Sequence, residues 1–474
     1  MIHGRVQRIQ DSVHGLMEFR GMEAVVIDLL RTPELQRLRR IRQLGLAHLV
    51  FPGAEHTRLV HSLGAAFVAI RFGHQLHEKA LDLFAAPLMP DETTIRDLAV
   101  AALCHDLGHG PLSHAWEREI IGNFETKAWC KSLGLDDSYH DAGLKWHELV
   151  GHGFLVWADG QLNRLLEEHE EGSSARIRRM LLGKYDLAYL PRLLSGDIDV
   201  DRCDFIRRDT HHTGVAYGRY DLDWLISTCG IGRLTSGQRV VAFDERKAVR
   251  VVEQFLIARR AMYDTVYYHK TVRAAEGMLA LFLRRLRNVI QQRPDAEKNK
   301  EVIALGELEL LKPIIRIIKG EALAQSDLLR LDDFALSVLV EHVARSNISD
   351  ETVRDLALRI SARDLFKIVH VDTDTLNKFF RLPDAYPRLN RAVKPYCPGD
   401  PEYYLVRDEI DFRMMSDSSD HCACLLRDDL TAYYAFDHPA FANLRAMRRE
   451  DVRLFTLREA VTSVEREIRE ALIG

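Results

Sequence analysis

The chain has 474 residues, is 47% hydrophobic and 28% charged, and carries a formal net charge of −5. That length exceeds one ordinary core, so two or three packed subdomains are expected. No run of 18 uncharged apolar residues occurs and the first residues lack a signal-peptide pattern, so a cytoplasmic, non-membrane protein is expected.

Nucleic-acid binders usually carry a basic excess, which is missing here, so nucleic acid is not the expected partner. Basic residues do cluster locally, at Arg37, Arg39, Arg40 and Arg42 and again at Arg202, Arg207 and Arg208. Such forks in a mildly acidic chain suit phosphate. Seven scattered cysteines read as free thiols rather than a disulfide framework. His421-Cys422-Ala423-Cys424 has no second half and reads as ordinary core or surface rather than a metal site.

The first predicted helix starts at Thr32-Pro33-Glu34, with proline in the first turn. Leu35, Leu38 and Ile41 form its apolar stripe, and Gly45 ends it. A second helix covers about 61–80. From Thr94, the residues Ile95, Leu98, Ala99, Ala102 and Leu103 repeat at the spacing of a buried helix face. That helix runs into His105-Asp106 and breaks at Gly108, Gly110 and Pro111. More helices are expected through 140–230, then a hairpin around Thr235-Ser236-Gly237. One long helix should span about 246–292, ending in the polar Gln291–Glu297 stretch. Residues 300–380 read as helical. Short strands are expected at 403–406, 422–426, 433–436 and 452–455. The fold class is therefore mainly α with a small α+β C-terminal part, divided at 1–292, 293–395 and 396–474.

His61, His105, Asp106 and Asp201 form a mixed nitrogen and oxygen set suited to one divalent ion of the Mn, Fe, Zn or Mg type. A lone histidine is more often structural than a ligand. A buried adjacent His-Asp pair at a helix end, by contrast, needs partners, and a metal supplies them.

This set and its flanks resemble a known family. His61, His105-Asp106 and Asp201 match the H…HD…D signature of the HD superfamily. The runs Gln36–Gly45, Phe51–Ala54, Arg58–Gly64, Lys145–Glu148, Asp209–Gly214 and Arg259–Lys270 resemble the SAM-and-HD-domain deoxynucleotide triphosphohydrolases. The likeness covers about residues 5–290 well and the tail loosely, so an all-helical HD-domain core without a SAM domain is implied.

The resemblance implies hydrolysis of a deoxynucleoside triphosphate to deoxynucleoside and tripolyphosphate, by attack at the α-phosphorus. It assigns the metal to His61, His105, Asp106 and Asp201. His114 matches the acid that protonates the leaving oxygen, and Glu117 its orienter. His109 and His147 match the histidines flanking the α-phosphate. Arg58 and Arg259 match phosphate-gripping arginines. Gln43 and Asp209 match the contacts to the 3′ hydroxyl, and Leu44 and Tyr267 the residues that crowd out a 2′ hydroxyl. A homo-oligomer, dimer or tetramer, and an allosteric nucleotide are further implications.

Four positions depart from the family pattern. Arg202 stands for the usual lysine, Phe205 for a phosphate-contacting tyrosine and Tyr263 for a histidine. Arg31 replaces the aspartate that receives a guanine edge, and an arginine cannot accept hydrogen bonds there. The alternatives are an HD phosphohydrolase acting on ATP, a modified nucleotide or a phosphodiester, and a non-enzymatic nucleotide-sensing or nucleic-acid-binding scaffold.

Overall fold

Short apolar spacings and well-made caps generate the helices that hold the site. The computed structural model describes residues 6–81, 89–112, 116–122, 125–291, 305–416, 419 and 421–473. The chain opens with a hairpin, β1 (Val6–Asp11) and β2 (Gly15–Arg20), paired antiparallel from Val6↔Arg20 to Asp11↔Gly15. The Asp11 carboxylate accepts the Val13 and His14 N–H groups, and Gly15 takes a left-handed φ of 71°, which closes the turn.

Helix α1 covers only Pro33–Gln36 and continues as one 3₁₀ turn, Arg37–Arg40. The expected continuation to Gly45 does not form. Ile41 is extended, Arg42 bridges to Thr57, and the Arg58 N–H donates to the Ile41 carbonyl at 2.9 Å. Leu35, Leu38 and Ile41 are nonetheless fully buried. The Thr32 hydroxyl caps nothing forward and instead donates back to the Leu29 carbonyl.

Helix α2 (Arg58–Leu81) packs against α3 (Glu92–Cys104), whose Asp91 cap accepts the Thr94 N–H at 2.8 Å. The predicted stripe Leu98, Ala99, Ala102 and Leu103 is fully buried between them. Helix α4 (Trp146–Val156) crosses close to the end of α3. A Cβ on Gly108 would lie 1.9 Å from the His147 carbonyl oxygen, so only glycine allows this approach. Helix α5 (Val200–Thr213) starts on an Asp199 cap, ends on left-handed Gly214 and packs on α2.

The predicted hairpin forms as β3 (Cys229–Arg233) and β4 (Arg239–Asp244). The single long helix expected over 246–292 is instead two, α6 (Glu245–Met262) and α7 (Lys270–Gln291). A π-helical turn at Tyr263–Tyr267 separates them, closed by the Tyr268 N–H on the Tyr263 carbonyl at 2.9 Å. The boundary expected just beyond Gln291 falls outside the described residues.

Helices α8 (Asp333–Arg345) and α9 (Glu351–Ser361) pack together, as the helical reading of 300–380 requires. The expected C-terminal strands form as β6 (Leu405–Arg413), β7 (Cys424–Leu426), β8 (Ala432–Tyr434) and β9 (Arg448–Thr456). They do not stand apart. Strand β7 joins β4 in parallel to give the order β3-β4-β7-β8. Strand β5 (Lys367–Ile368) and β6 flank β9. The fold is mainly α with small sheets. Among the described residues, no helix is long and apolar enough to cross a membrane.

Candidate active site

The two ends of the His-Asp motif meet where α2, α3 and α5 converge. His61 Nε2 lies 3.3 Å from His105 Nε2, 3.0 Å from Asp201 Oδ1 and 3.8 Å from Asp106 Oδ2. His105 Nε2 lies 3.3 Å from Asp106 Oδ1 and 3.5 Å from Asp201 Oδ1. Donor atoms bound to one ion at about 2.1 Å sit about 3 to 3.5 Å apart, so the spacing of His61, His105 and Asp201 suits a single shared cation.

The imidazoles are oriented for that role. His61 Nδ1 faces Asp204 Oδ2 at 2.8 Å, and His105 Nδ1 faces the Ala102 carbonyl at 2.6 Å, so each Nε2 points at the set. Burial favours neutral His61, but the Asp201 and Asp204 carboxylates outweigh it and raise its pKa to about 10. His105 is raised in the same contest, burial against Asp106 and Asp201. The carboxylates thus demand positive charge at this point, which a divalent cation satisfies and two protons only imitate.

Asp204 was not singled out as a functional residue by the sequence. It is fully buried and also meets His14 Nε2 at 2.7 Å and Arg208 Nε at 2.8 Å, while Arg208 reaches Asp11 at 2.9 Å. A Cβ on Gly64 would fall 1.9 Å from Asp204 Oδ1, so glycine on α2 makes room for this network.

A second group lies beside the first. His109 Nε2 is 3.2 Å from Asp106 Oδ1. The His109 and His147 rings stack at 3.9 Å, and Glu117 takes the Nδ1 atom of each, at 2.9 and 2.6 Å. Burial, then His109, lowers the His147 pKa, with Glu117 opposing. His114 lies outside the described residues, so its expected pairing with Glu117 does too. Arg58 forms a buried ion pair with Asp106. Arg37, fully buried, donates to the His109 carbonyl at 2.6 and 2.7 Å. Burial lowers its pKa to about 10.

The residues expected at the sugar gather around Asp209. The Tyr267 hydroxyl donates to Asp209 Oδ2 at 2.6 Å, and His56, another residue the sequence did not flag, faces Oδ1 at 2.8 Å. Gln43 is held beside them by its N–H on the His56 carbonyl at 3.0 Å, while its buried Oε1 atom has no partner. The Phe205 ring contacts both Tyr267 (6.0 Å) and His61 (6.4 Å), joining this corner to the metal set. Leu44 is partly buried against the core.

On the other side lies a cavity of about 520 Å³, lined in part by Arg202, Arg259, Arg413, His421 and Asp197. Arg202 pairs with Asp199, and Arg259 donates to the Met414 carbonyl at 3.3 Å. Burial, then the neighbouring Arg202, lowers the Arg259 pKa, with Asp197 and Asp199 opposing. The Tyr263 ring stacks on Phe412 at 4.4 Å under the Arg259 guanidinium. Cys422 and Cys424 are buried free thiols, pushed up by burial to about 12 and about 11.

Residues 232–314, which carry Arg259, Tyr263 and Tyr267, match the family described as an HD associated region. The chain is 29% identical over 402 residues to the Bacillus subtilis (strain 168) protein YwfO, covering 84% of this chain and 78% of that one. It is 30% identical over 281 residues to human deoxynucleoside triphosphate triphosphohydrolase SAMHD1, covering 57% of this chain and 43% of the relative. The crystal structure of a phosphohydrolase from Bacteroides thetaiotaomicron VPI-5482 shares the fold, with a TM-score of 0.70 at 23% identity, over 96% of this chain and 100% of that chain.

The chain is thus similar in sequence to SAMHD1 and similar in fold to a phosphohydrolase. The match spans less than half of the human relative's length. The three groups described above are a donor set suited to a cation, a stacked histidine pair and an arginine-lined cavity.

Proposed function

We propose that this phosphohydrolase converts deoxynucleoside triphosphates to deoxynucleoside and tripolyphosphate by attack at the α-phosphorus. The observation that carries this reading is the Gln43 Oε1 atom, buried without a partner on a residue whose N–H bonds to His56, itself 2.8 Å from Asp209. An orphaned acceptor in a polar corner calls for a donor, and the sugar 3′ hydroxyl is one. In this reading the sugar lies there, the outer phosphates lie in the arginine-lined cavity, and the α-phosphorus lies at His61, His105, Asp106 and Asp201.

A divalent ion held by those four residues supplies positive charge against phosphoryl oxygens and makes water more acidic. The chain's own residues do the rest. His109 and His147, fixed by Glu117, present their Nε2 atoms to the phosphate, and Arg58 adds charge through Asp106. Arg202 and Arg259 hold the outer phosphates, and His114 protonates the departing 5′ oxygen. The Tyr267 ring, tied to Asp209, and Leu44 leave no room for a 2′ hydroxyl. A soluble homo-oligomer and loss or alteration of guanine-specific activation belong to the same reading. Arg31 is exposed, and the Gln36 side-chain Oε1 already accepts from Arg39 Nε at 2.7 Å.

Phe205 favours a second reading, an HD phosphohydrolase with another nucleotide target, because its ring offers no hydroxyl to a phosphate. Incubation with each of the eight common nucleoside and deoxynucleoside triphosphates, in Mn, Fe or Mg, separates the two. Deoxynucleoside plus tripolyphosphate supports the first. Ribonucleotide turnover, or release of phosphate or pyrophosphate alone, supports the second.

A further inference from the structure

Asp333 opens helix α8, yet its carboxylate gives nothing to it. Its neighbour Asp332 caps that helix, accepting the Ala335 N–H at 3.0 Å. Asp333 is 3% exposed, and it turns both oxygens outward to other segments. Oδ1 accepts the Leu112 N–H at 2.8 Å, and Oδ2 accepts the Arg42 N–H at 2.9 Å. These two amides belong to the strands of chain that carry the site. Leu112 lies on the loop that follows His105, and Arg42 precedes Gln43.

The loop needs holding. Leu112 has a φ of 49°, a left-handed conformation unfavourable for a leucine, so some contact must fix it there. The Arg37 guanidinium grips the same loop from the other side, at the His109 carbonyl. A buried carboxylate is costly, and burial pushes the Asp333 pKa up to about 6.

We propose that Asp333 is a positioning residue: it clasps the His105–Leu112 loop to the Ile41–Gln43 segment and so sets the spacing between the histidines that meet phosphate and the amide that meets the sugar. This rests on the proposed function. A displacement of about 1 Å can cost about 100-fold in rate.

The test compares Asp333→Asn, which keeps the shape and one acceptor, with Asp333→Ala, which keeps neither. Three quantities are measured: bound metal by native mass spectrometry, amide hydrogen exchange of peptides spanning 37–45 and 105–112, and kcat and KM for a deoxynucleoside triphosphate. We expect full metal occupancy, exchange at both peptides faster by about tenfold or more, and kcat reduced by about 10- to 100-fold, less in the Asn variant. If the Ala variant does not fold, the near-isosteric Asn variant carries the test. Wild-type kcat and KM in a variant with loosened amides overturn the positioning role and leave the function standing. No turnover by the wild-type protein in any metal overturns the function. The clasp is then judged on exchange alone, and unchanged exchange overturns it.

Discussion

Replacing Asp204 by asparagine tests how the metal set is held. Asp204 is fully buried. Its Oδ2 faces His61 Nδ1 and Arg208 Nε, both at 2.8 Å, and its Oδ1 faces His14 Nε2 at 2.7 Å and Arg208 Nη2 at 2.9 Å. Burial would raise its pKa, but Arg208, His14 and His61 together hold it well below the usual carboxylate range. An amide removes the charge and points N–H groups at groups that themselves donate. Arg208 keeps only Asp11, at 2.9 and 3.2 Å. Breaking a buried pair of this kind costs about 3 to 5 kcal/mol. Loss of the partner that orients a metal-binding histidine lowers metal affinity by about 10- to 100-fold.

The sign with pH follows from the depressed pKa. The stabilisation is present above the unfolded value near 4 and is lost as pH falls through the folded value. Urea unfolding at pH 7 and calorimetric Mn titration measure both effects. An Asp204→Asn variant that unfolds at the wild-type urea concentration and binds Mn with wild-type affinity would refute the reasoning.

Further outcomes are expected. A 3′-deoxy substrate leaves the Gln43 Oε1 acceptor unpaired, so wild-type kcat/KM should fall by about 100-fold or more against the normal deoxynucleotide, and Gln43→Ala should narrow that gap. Equal use of both substrates by the wild-type protein contradicts the sugar assignment. Asp333, raised by burial from an ordinary 3.8 to about 6, contributes most favourably below pH 4, and this is lost as pH rises through 6. A rise of about two in pKa corresponds to about 3 kcal/mol, so Asp333→Asn should gain stability relative to wild type between pH 4 and 7, read from denaturant midpoints. A flat difference contradicts it. His105→Ala should abolish both metal binding and turnover, checked by metal analysis and product chromatography. Added GTP should leave turnover of other deoxynucleotides unchanged or alter it without guanine selectivity; a guanine base bound at Arg31 contradicts this.

The residues that the structure brings together at His61, His105 and Asp201 were legible because their signals are local. His105-Asp106 ends a helix with a clear apolar stripe, and Asp201 sits in the first turn behind an Asp199 cap. The residues that hold the set were not legible, since their partners are remote in sequence. Asp204 meets His61 across 143 residues, His56 meets Asp209 across 153, and Asp333 meets Leu112 across 221. Periodicity also passed over the break at Tyr263–Tyr267, because a π-helical turn needs neither proline nor glycine. The early end of the Pro33 helix was set by a bridge between Arg42 and Thr57, which no local propensity encodes. The N-terminal hairpin did leave a signal, the Asp11–Gly15 turn, that a stricter reading of turn chemistry would have used.

The most direct test of attack at the α-phosphorus is turnover of a deoxynucleoside triphosphate in ¹⁸O-labelled water, with mass spectrometry of the products. The account predicts one label in the released tripolyphosphate and none in the deoxynucleoside. Label in orthophosphate or pyrophosphate, with a deoxynucleotide as the other product, would contradict it.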